Sequence, residues 1–407
     1  MPGQVPGNKG HCMTTIILRN GHVKPLWAGH PWVFAQAIQT IEGAPTAGDV
    51  VRITNQTGTF LGQGFYSPHS AIPVRILSNQ PTDVIDAGFL QRRIETAKNL
   101  RNELLHLPAH GTNGYRLVHS EGDYLGGLIV DMYGDVAAVQ LLTIGMKRRQ
   151  EEIFATIQRL TQAKSIVEIA RASTARLEGF EASTQVVRGA NIDALNFTEM
   201  DIQYTVPIEV GQKTGFYFDQ RETRQLVKGL AAGRRVLDAF CYLGSFSLAA
   251  LAGGAESAVA VDSSAAVLAA AAAVAESNGF GGRVEFTRAD VRTFLPSLAA
   301  QKSRFDLVIV DPPKLAPSSK HLNHGRKAYE KLNAAALRLV EPQGLMLTCS
   351  CSAAMRAEDF LRTLSLAAVS AKRHIQVLRL TTQAPDHPTL PAFPEGRYLK
   401  VALLKVD

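Results

Sequence analysis

The sequence has no apolar run long enough to cross a bilayer. Its longest stretch of small and apolar residues, "AAVLAAAAAVA" at 265–275, is Ala-rich and falls well short of the ~20 residues a spanning helix needs. The N-terminal "MPGQVPGNKGHCMTT" lacks the apolar segment of a signal peptide and reads as a loose tail, residues 1–14, which places the protein in the cytoplasm. Cysteine is scarce. The four residues Cys12, Cys241, Cys349 and Cys351 show neither disulfide-framework spacing nor a C-x-x-C pair. No metal site is expected; a clip made of Cys349, Cys351 and distant residues is the weak alternative. There is also no G-x-G-x-x-G, and so none of the glycine pattern that admits a dinucleotide pyrophosphate.

What is present is the composition of a folded chain, 46% hydrophobic and 19% charged. At 407 residues it is too long for one ordinary domain. The net charge is +7, from 43 Lys and Arg against 36 Asp and Glu. By direct count about +6 of it falls in residues 201–407, which suits an anionic partner such as nucleic acid.

Three segments follow one another. Residues 15–83 alternate short β-like runs with turn residues, as in "TIILRNG" and "DVVRITNQTGTFLGQGFYS", the pattern of a small barrel. In it "HPWVF" presents Trp32 and Phe34, either as core aromatics or as a face for RNA. Residues 84–200 read as a small α+β unit containing the helix pattern "MKRRQEEIFATIQRLTQ" and the tight turn "MYGD". No catalytic constellation stands out there, and a structural connector is the expectation. From residue 201 to 407 strands alternate with helices: "RRVLDAF", "SAVAVD", "RVEFTRAD", "FDLVIVD", "GLMLTCS", "HIQVLRL" and "RYLKVALLKV". That alternation predicts an α/β fold with a seven-stranded, mainly parallel sheet, the last two strands pairing as an antiparallel edge.

Ligands bind beyond the C-terminal ends of the strands in such a sheet. The first strand ends at Asp238 and leads through Gly244 into a helix, a turn suited to a nucleoside-type cofactor. The second ends at Asp262, whose ionised carboxylate can accept both ribose hydroxyls. The third ends at Asp290, placed for an adenine amine. Asp262 and Asp290 also read as plain helix N-caps. The fourth ends in Asp311-Pro-Pro, a stiff turn that holds a carboxylate at the sheet edge. The fifth carries Cys349 and Cys351, which share one side if the strand continues through both. If the strand breaks at Ser350, Cys351 lies in the loop beside Asp311, where a nucleophile is needed.

These residues resemble a known family. "HPWVF", "GQKTGFYFDQRETR", "FCYLGSFS", "VDSS", "DPPKL", "SCS" and "DHPTLPAFPEGRYLK" look like the class I methyltransferases of ribosomal RNA. They are most similar to the PUA-domain-containing large-subunit cytosine-C5 methyltransferases. The resemblance implies an N-terminal PUA-like RNA-binding barrel, a small middle domain and a Rossmann-like domain that uses S-adenosylmethionine. It puts the cofactor along Asp238, Phe240, Tyr242 and Gly244, with Asp262 and Ser263 on the ribose and Asp290 near the adenine. Asp219, Gln220 and Arg221 would close over the methionine end. Cys351 is the implied nucleophile and Asp311 its partner, while the "TCS" register keeps Cys349 as a second candidate.

The expected partner is ribosomal RNA, with no membrane, and a homodimer is left open. Lys314, Lys320, Arg326, Lys327 and Lys331, with His321 and His324, face only Glu330 as an acid and can track phosphates. Trp32 is the RNA-facing candidate in the barrel. Rival readings are an amino-group methyltransferase on the same fold, a nicotinamide dehydrogenase, and a non-catalytic RNA-binding assembly factor.

Overall fold

The computed structural model describes residues 14–211 and 213–407. Cys12 and all but the last residue of the expected tail lie outside the described residues.

The first six strands are β1 (Thr15–Leu18), β2 (Trp32–Val33), β3 (Ile38–Glu42), β4 (Val50–Thr54), β5 (Phe60–Tyr66) and β6 (Val74–Ser78), with a short helix α1 (Val23–Trp27) between β1 and β2. They form one sheet in the order β2-β6-β5-β4-β1-β3. Alternate residues turn inward, so that Ile16, Leu18, Val33, Val51, Ile53 and Val74 make a small core. The turn at 55–58 is built by Asn55, whose side-chain oxygen accepts the N–H groups of Thr57 and Thr59.

A mixed sheet follows. Helix α2 (Ala87–Asn99) is capped by Asp86, which accepts the Phe89 N–H at 2.8 Å. Strands β7 (Gly114–His119), β8 (Leu128–Tyr133), β9 (Val136–Leu141), β10 (Ser165–Glu168) and β11 (Gln185–Arg188) pair in the order β11-β10-β9-β8-β7. Helices α3 (Ile144–Lys147), α4 (Gln150–Thr161) and α5 (Ala172–Glu178) lie between them in the chain. Ile153, Phe154 and Ile157, at helical spacing on α4, bury against this sheet as the periodicity predicts. The hairpin of β12 (Ala194–Glu199) and β13 (Ile202–Pro207) straddles residue 200. Its Phe197 and Tyr204 share one aromatic core with Tyr133, Phe216, Phe218 and Tyr242, so both sides of that position are packed together.

The C-terminal part alternates as expected. Its elements are α6 (Arg221–Leu230), β14 (Arg235–Ala239), α7 (Ser245–Ala252), β15 (Ser257–Asp262), α8 (Ala265–Ser277), β16 (Val284–Arg288), α9 (Val291–Ala300), β17 (Phe305–Val310), α10 (Leu322–Leu337), β18 (Val340–Ser350), α11 (Ala357–Ala371), β19 (Ile375–Thr381) and β20 (Lys400–Val406). The seven strands order as β16-β15-β14-β17-β18-β20-β19. Strand order reverses at β14, between β15 on one side and β17 on the other, which opens a crevice at its C-terminal end. As expected, the last two strands pair as an antiparallel edge, with β20 inserted between β18 and β19. β20 reads "KVALLKV" and is buried nearly throughout, whereas the side chains of β19 are mostly exposed.

The segment 382–399, between β19 and β20, reaches back over the other two sheets. Ala384 N–H donates to the Asp219 carbonyl at 2.9 Å, and Arg221 donates to the Asp386 carboxylate at 2.9 Å. Asp386 also takes the Arg116 N–H, and its own carbonyl accepts Arg101. Further along, Phe393 packs edge-on to Trp32 with ring centres 4.7 Å apart. The Trp32 indole N–H donates to Glu121 at 2.8 Å, and Arg75 covers its ring. Trp32 is half-buried and joins three parts of the chain, its partners lying far away in sequence. No helix among the described residues is long and apolar enough to cross a membrane.

Candidate active site

The crevice at the ends of β14, β17 and β18 gathers most of the residues singled out in the sequence. Just beyond β14 the chain turns through Phe240, Tyr242 and Gly244, with φ of 65°, 51° and 67°. Two non-glycine residues in the left-handed region make this a strained loop, held from outside. Tyr242 donates its hydroxyl to the Gly215 carbonyl at 2.7 Å and its N–H to Asp262 at 3.1 Å. At Gly244 a Cβ would come 2.9 Å from the Phe286 ring, so only glycine fits.

Asp238 is fully buried below this loop, and one carboxylate oxygen accepts both the N–H and the hydroxyl of Ser247. Its other oxygen has no partner. Burial pushes its carboxyl up to about 7. Asp262 accepts from Tyr242 and, through its second oxygen, from the Ser264 N–H at 3.0 Å. The N-cap of α8 is Ser264, so Asp262 is not the plain cap it resembles in sequence. Asp290 is the cap of α9 and is exposed, its carboxylate also taken by the Arg292 guanidinium at 2.8 Å. Ser263 is exposed at the end of β15.

The stretch "TGFYFDQR" alternates sharply. Phe216 and Phe218 enter the aromatic core, while Tyr217 turns toward Tyr242 and the Lys213 ammonium. Asp219 and Gln220 are then buried at the crevice floor. Asp219 accepts the Tyr398 hydroxyl at 2.7 Å and pairs with Lys213 at 3.5 Å. Burial raises its carboxyl, but Lys213, His387 and the Tyr398 hydroxyl outweigh that and hold it below the usual carboxylate range. Gln220 bridges, its amide N–H reaching Asp311 at 3.1 Å and the Cys349 sulfur at 3.5 Å. One oxygen each of Asp219 and Gln220 is a buried acceptor without a partner, as in Asp238. Arg221 points away, to Asp386.

The two cysteines part company at the end of β18. Strand pairing with β20 sets Cys349 opposite Val401 and Ser350 opposite Lys400, and the strand stops there. Thr348, Cys349 and Ser350 are all fully buried, and Thr348 is tied to Asn333 on α10. Burial pushes the Cys349 thiol far up. Cys351 lies past the strand end, partly open, with its sulfur 3.8 Å from the Pro312 carbonyl of the Asp-Pro-Pro turn. Burial raises this thiol as well, and the Asp311 charge adds to it, while Lys213 and Lys314 act against both. Asp311 is itself pushed up to about 6 by burial and then by the neighbouring Asp219.

Beyond Pro313 the basic side chains spread over the surface. Lys320, His324, Lys327 and Lys331, spaced by three or four residues, form one exposed stripe, and Lys314 is exposed nearer the crevice. Arg326 leaves that stripe and pairs with Asp359 on α11, an acid the local sequence does not reveal. Lys213, Tyr398, Asp386 and Lys400 belong to this site too. The first signal for three of them is "DHPTLPAFPEGRYLK", whose residues touch the crevice only because 382–399 folds back. No group of three or more metal-ligating side chains is assembled among the described residues.

Three unpartnered buried acceptors at the floor, beside a glycine-lined turn and a carboxylate at the next strand end, fit a nucleoside ligand that carries an ammonium group. Known proteins agree with that chemistry. The PUA-like domain pattern matches residues 16–79, and that of the S-adenosylmethionine-dependent methyltransferases matches residues 115–401. The chain is 37% identical to ribosomal RNA large subunit methyltransferase I of Pseudoalteromonas atlantica over 392 residues, 96% of this chain and 99% of that one. The protein of the same name from Yersinia pseudotuberculosis is 37% identical over 387 residues, covering 95% and 97%. Among solved structures, a Streptococcus mutans protein described as a SAM-dependent methyltransferase superposes with a TM-score of 0.82 at 22% identity, covering 97% and 100%. SMU.776, solved in complex with SAH, gives 0.83 at 22% identity with the same coverage. At that identity the likeness shows the shared fold. The chain belongs to the ribosomal RNA large subunit methyltransferase I family, and it is an S-adenosylmethionine-dependent methyltransferase of α/β fold with an N-terminal PUA-like domain.

Proposed function

We propose that this protein methylates C5 of a cytosine in large-subunit ribosomal RNA, in the cytoplasm, through a covalent bond between Cys351 and C6 of the base. One observation carries the reading. Among the described residues, Cys351 is the single cysteine that leaves the buried sheet and opens into the crevice, against the Asp311-Pro-Pro turn. The names of the relatives support ribosomal RNA of the large subunit as substrate. The organisation that goes with it is a PUA-like unit over 15–83, a middle unit over 84–200 with the β12–β13 hairpin at its limit, and the methyltransferase unit over 201–407.

S-adenosylmethionine, when bound, supplies a methyl group activated by a sulfonium. The residues that would hold it are Asp219, Gln220 and Asp238, whose free acceptors suit its ammonium, the Phe240–Gly244 turn, and Asp262 with Ser263 at the ribose. Asp290 would take the adenine edge, sharing its carboxylate with Arg292. Arg221 acts at a remove, by fixing the 382–399 segment through Asp386.

Cytosine C5 is a weak nucleophile until something adds at C6. The Cys351 thiolate would form that bond and leave C5 electron-rich enough to take up the methyl group; loss of the C5 proton to solvent then re-forms the C5–C6 double bond and expels the thiolate, and N3 returns its proton to Asp311. Asp311, held up to about 6, would donate a proton at N3 while accepting from the N4 amine. While Asp311 still carries the proton it is to donate it is neutral, and the charge that raises the Cys351 thiol is then absent, which favours the thiolate before attack. A base in a stem must first be flipped out, at a cost of a few kcal/mol. Lys314 and the stripe through Lys320, Lys327 and Lys331 would hold the flanking phosphates.

The test is transfer of labelled methyl groups to unmodified large-subunit rRNA, with the product digested to nucleosides. Label in 5-methylcytidine is expected, reduced at least ~1000-fold in Cys351→Ala and kept within about threefold in Cys349→Ala. Loss only in Cys349→Ala would move the nucleophile into the strand. Label in an N-methylated base, indifferent to both substitutions, would end the proposal.

A further inference from the structure

The middle unit, expected to be a structural connector, lines a groove of about 530 Å³ together with the chain that leads into the crevice. One wall is the end of β10, with Ile169 and Arg171; the other is the chain past β13, with Ile208, Glu209, Gly211 and Lys213. That volume lies in the range of small-molecule sites and holds one nucleotide. The second wall is shared with the crevice. The Gly211 N–H donates to the Pro207 carbonyl at 3.1 Å, and a Cβ on Gly211 would come 3.0 Å from the Gly215 Cα. Gly215 in turn accepts the Tyr242 hydroxyl of the cofactor turn at 2.7 Å. Lys213 lines the groove while its ammonium lies 3.5 Å from Asp219 at the crevice floor and 4.2 Å from the centre of the Tyr217 ring. Groove and crevice are therefore neighbours across one side chain.

The lining combines three kinds of group. Ile169 and Ile208 are half-buried and give the groove apolar faces. Arg171 and Glu209 are exposed, and neither side chain has a hydrogen-bond or ion-pair partner among the described residues, although both line the same groove. A free guanidinium suits a phosphate, which it can grip through two N–H groups. A free carboxylate only accepts, so it needs donors from whatever fills the groove. A nucleotide brings all three counterparts: a phosphate, a flat face and base-edge N–H groups. The methionine tail of the cofactor would leave most of the volume empty, and its ammonium already has the buried acceptors of Asp219, Gln220 and Asp238.

We infer that this groove binds the nucleotide next to the target base in the RNA strand, with Arg171 on its phosphate, Ile169 and Ile208 against its base, and Glu209 accepting from an N–H of the base edge. This deepens the reading above and rests on it for the RNA substrate. A base drawn into the crevice brings its neighbours along, since the strand is continuous, and the groove is the adjoining space. Phosphate contacts along Lys320, Lys327 and Lys331 carry no sequence information, whereas a base edge read by Glu209 does. The middle unit thus supplies sequence preference to the methyltransferase unit.

The experiment measures binding, not turnover. Filter retention compares a fragment of large-subunit rRNA that the wild type methylates with a random-sequence RNA of equal length, for wild type, Arg171→Gln and Glu209→Gln. Calorimetry gives the SAH affinity of the same proteins, and thermal unfolding checks that these exposed substitutions leave the fold intact. Glu209→Gln decides by sign. A carboxylate that only stands near phosphates repels them, so its removal tightens binding to both RNAs; one that accepts from a base does the reverse. Binding of the rRNA fragment should weaken about tenfold in Glu209→Gln, with random RNA within about twofold. Arg171→Gln should weaken both about threefold and lower the slope of log affinity against log salt by about one. Tighter or unchanged binding of the fragment in Glu209→Gln would overturn the inference, as would an unchanged affinity and slope in Arg171→Gln. A loss of SAH affinity in either variant would overturn it too, giving the groove to the methionine tail. Failure of the function proposal looks different: the methyl label would fall outside 5-methylcytidine while these binding changes stand.

Discussion

Asp219 and Asp311 stand on either side of Gln220 at one crevice floor, and burial raises both carboxyls, yet they end at opposite extremes. Asp219 is given a tyrosine hydroxyl and an ammonium, and is held ionised. Asp311 is given one neutral amide and a view of the Asp219 charge, and is pushed up to about 6. Two like residues thus acquire two roles from their neighbours: a permanent anion suited to a cationic ligand, and an acid that can part with a proton near neutral pH.

The contrast can be broken most severely at Asp311. Asp311→Asn keeps a donor and an acceptor but cannot transfer a proton, so kcat should fall about 100-fold or more with KM little changed. Steady-state kinetics on rRNA would show it, and a wild-type kcat would remove Asp311 from the chemistry. A milder change sharpens the comparison from the other side. The Asp219 charge raises both Asp311 and the Cys351 thiol. Asp219→Asn should let both fall, shifting the entire bell of kcat/KM against pH toward acid by roughly half a unit. A shift toward alkali would mean the sign of that coupling is wrong.

A further effect concerns stability without substrate. Asp238 is fully buried and goes the way of Asp311, to about 7. Its neutral form is the one the fold accommodates, so this stability is fully present below the ordinary carboxyl range. It is lost as pH rises through about 7, on the order of 4 kcal/mol in all. Chemical denaturation at a series of pH values should show that decline in wild type and a flatter profile in Asp238→Asn. Equal slopes in the two proteins would contradict it.

Much of this floor was legible in the sequence because strand ends are local. Asp238, Asp262, Asp290 and Asp311 each follow a short apolar run, and the alternation of runs and helices gives the parallel sheet. The break after Ser350, which sends Cys351 into the crevice and leaves Cys349 in the core, was one of two open possibilities: an alternating pattern does not say where a strand stops. The insertion of β20 between β18 and β19 was not legible, since an apolar run marks a strand without naming the neighbours it pairs with. Nor were the partnerships of Trp32 with Phe393, Arg221 with Asp386 and Arg326 with Asp359, because each joins elements distant in the chain. Lys400 was hidden for a further reason. A lysine opening a strand reads as a solvated edge residue, and only the folded strand order makes it a buried cation.

The most direct measurement is to trap the bond between protein and base. RNA carrying 5-fluorocytidine at the target cannot lose a proton from C5, so an adduct formed at C6 persists after methyl transfer. With S-adenosylmethionine present, the expected result is a protein–RNA complex that survives denaturation and maps to Cys351. A complex on Cys349, or none at all under conditions where ordinary RNA gains 5-methylcytidine, would contradict attack by Cys351.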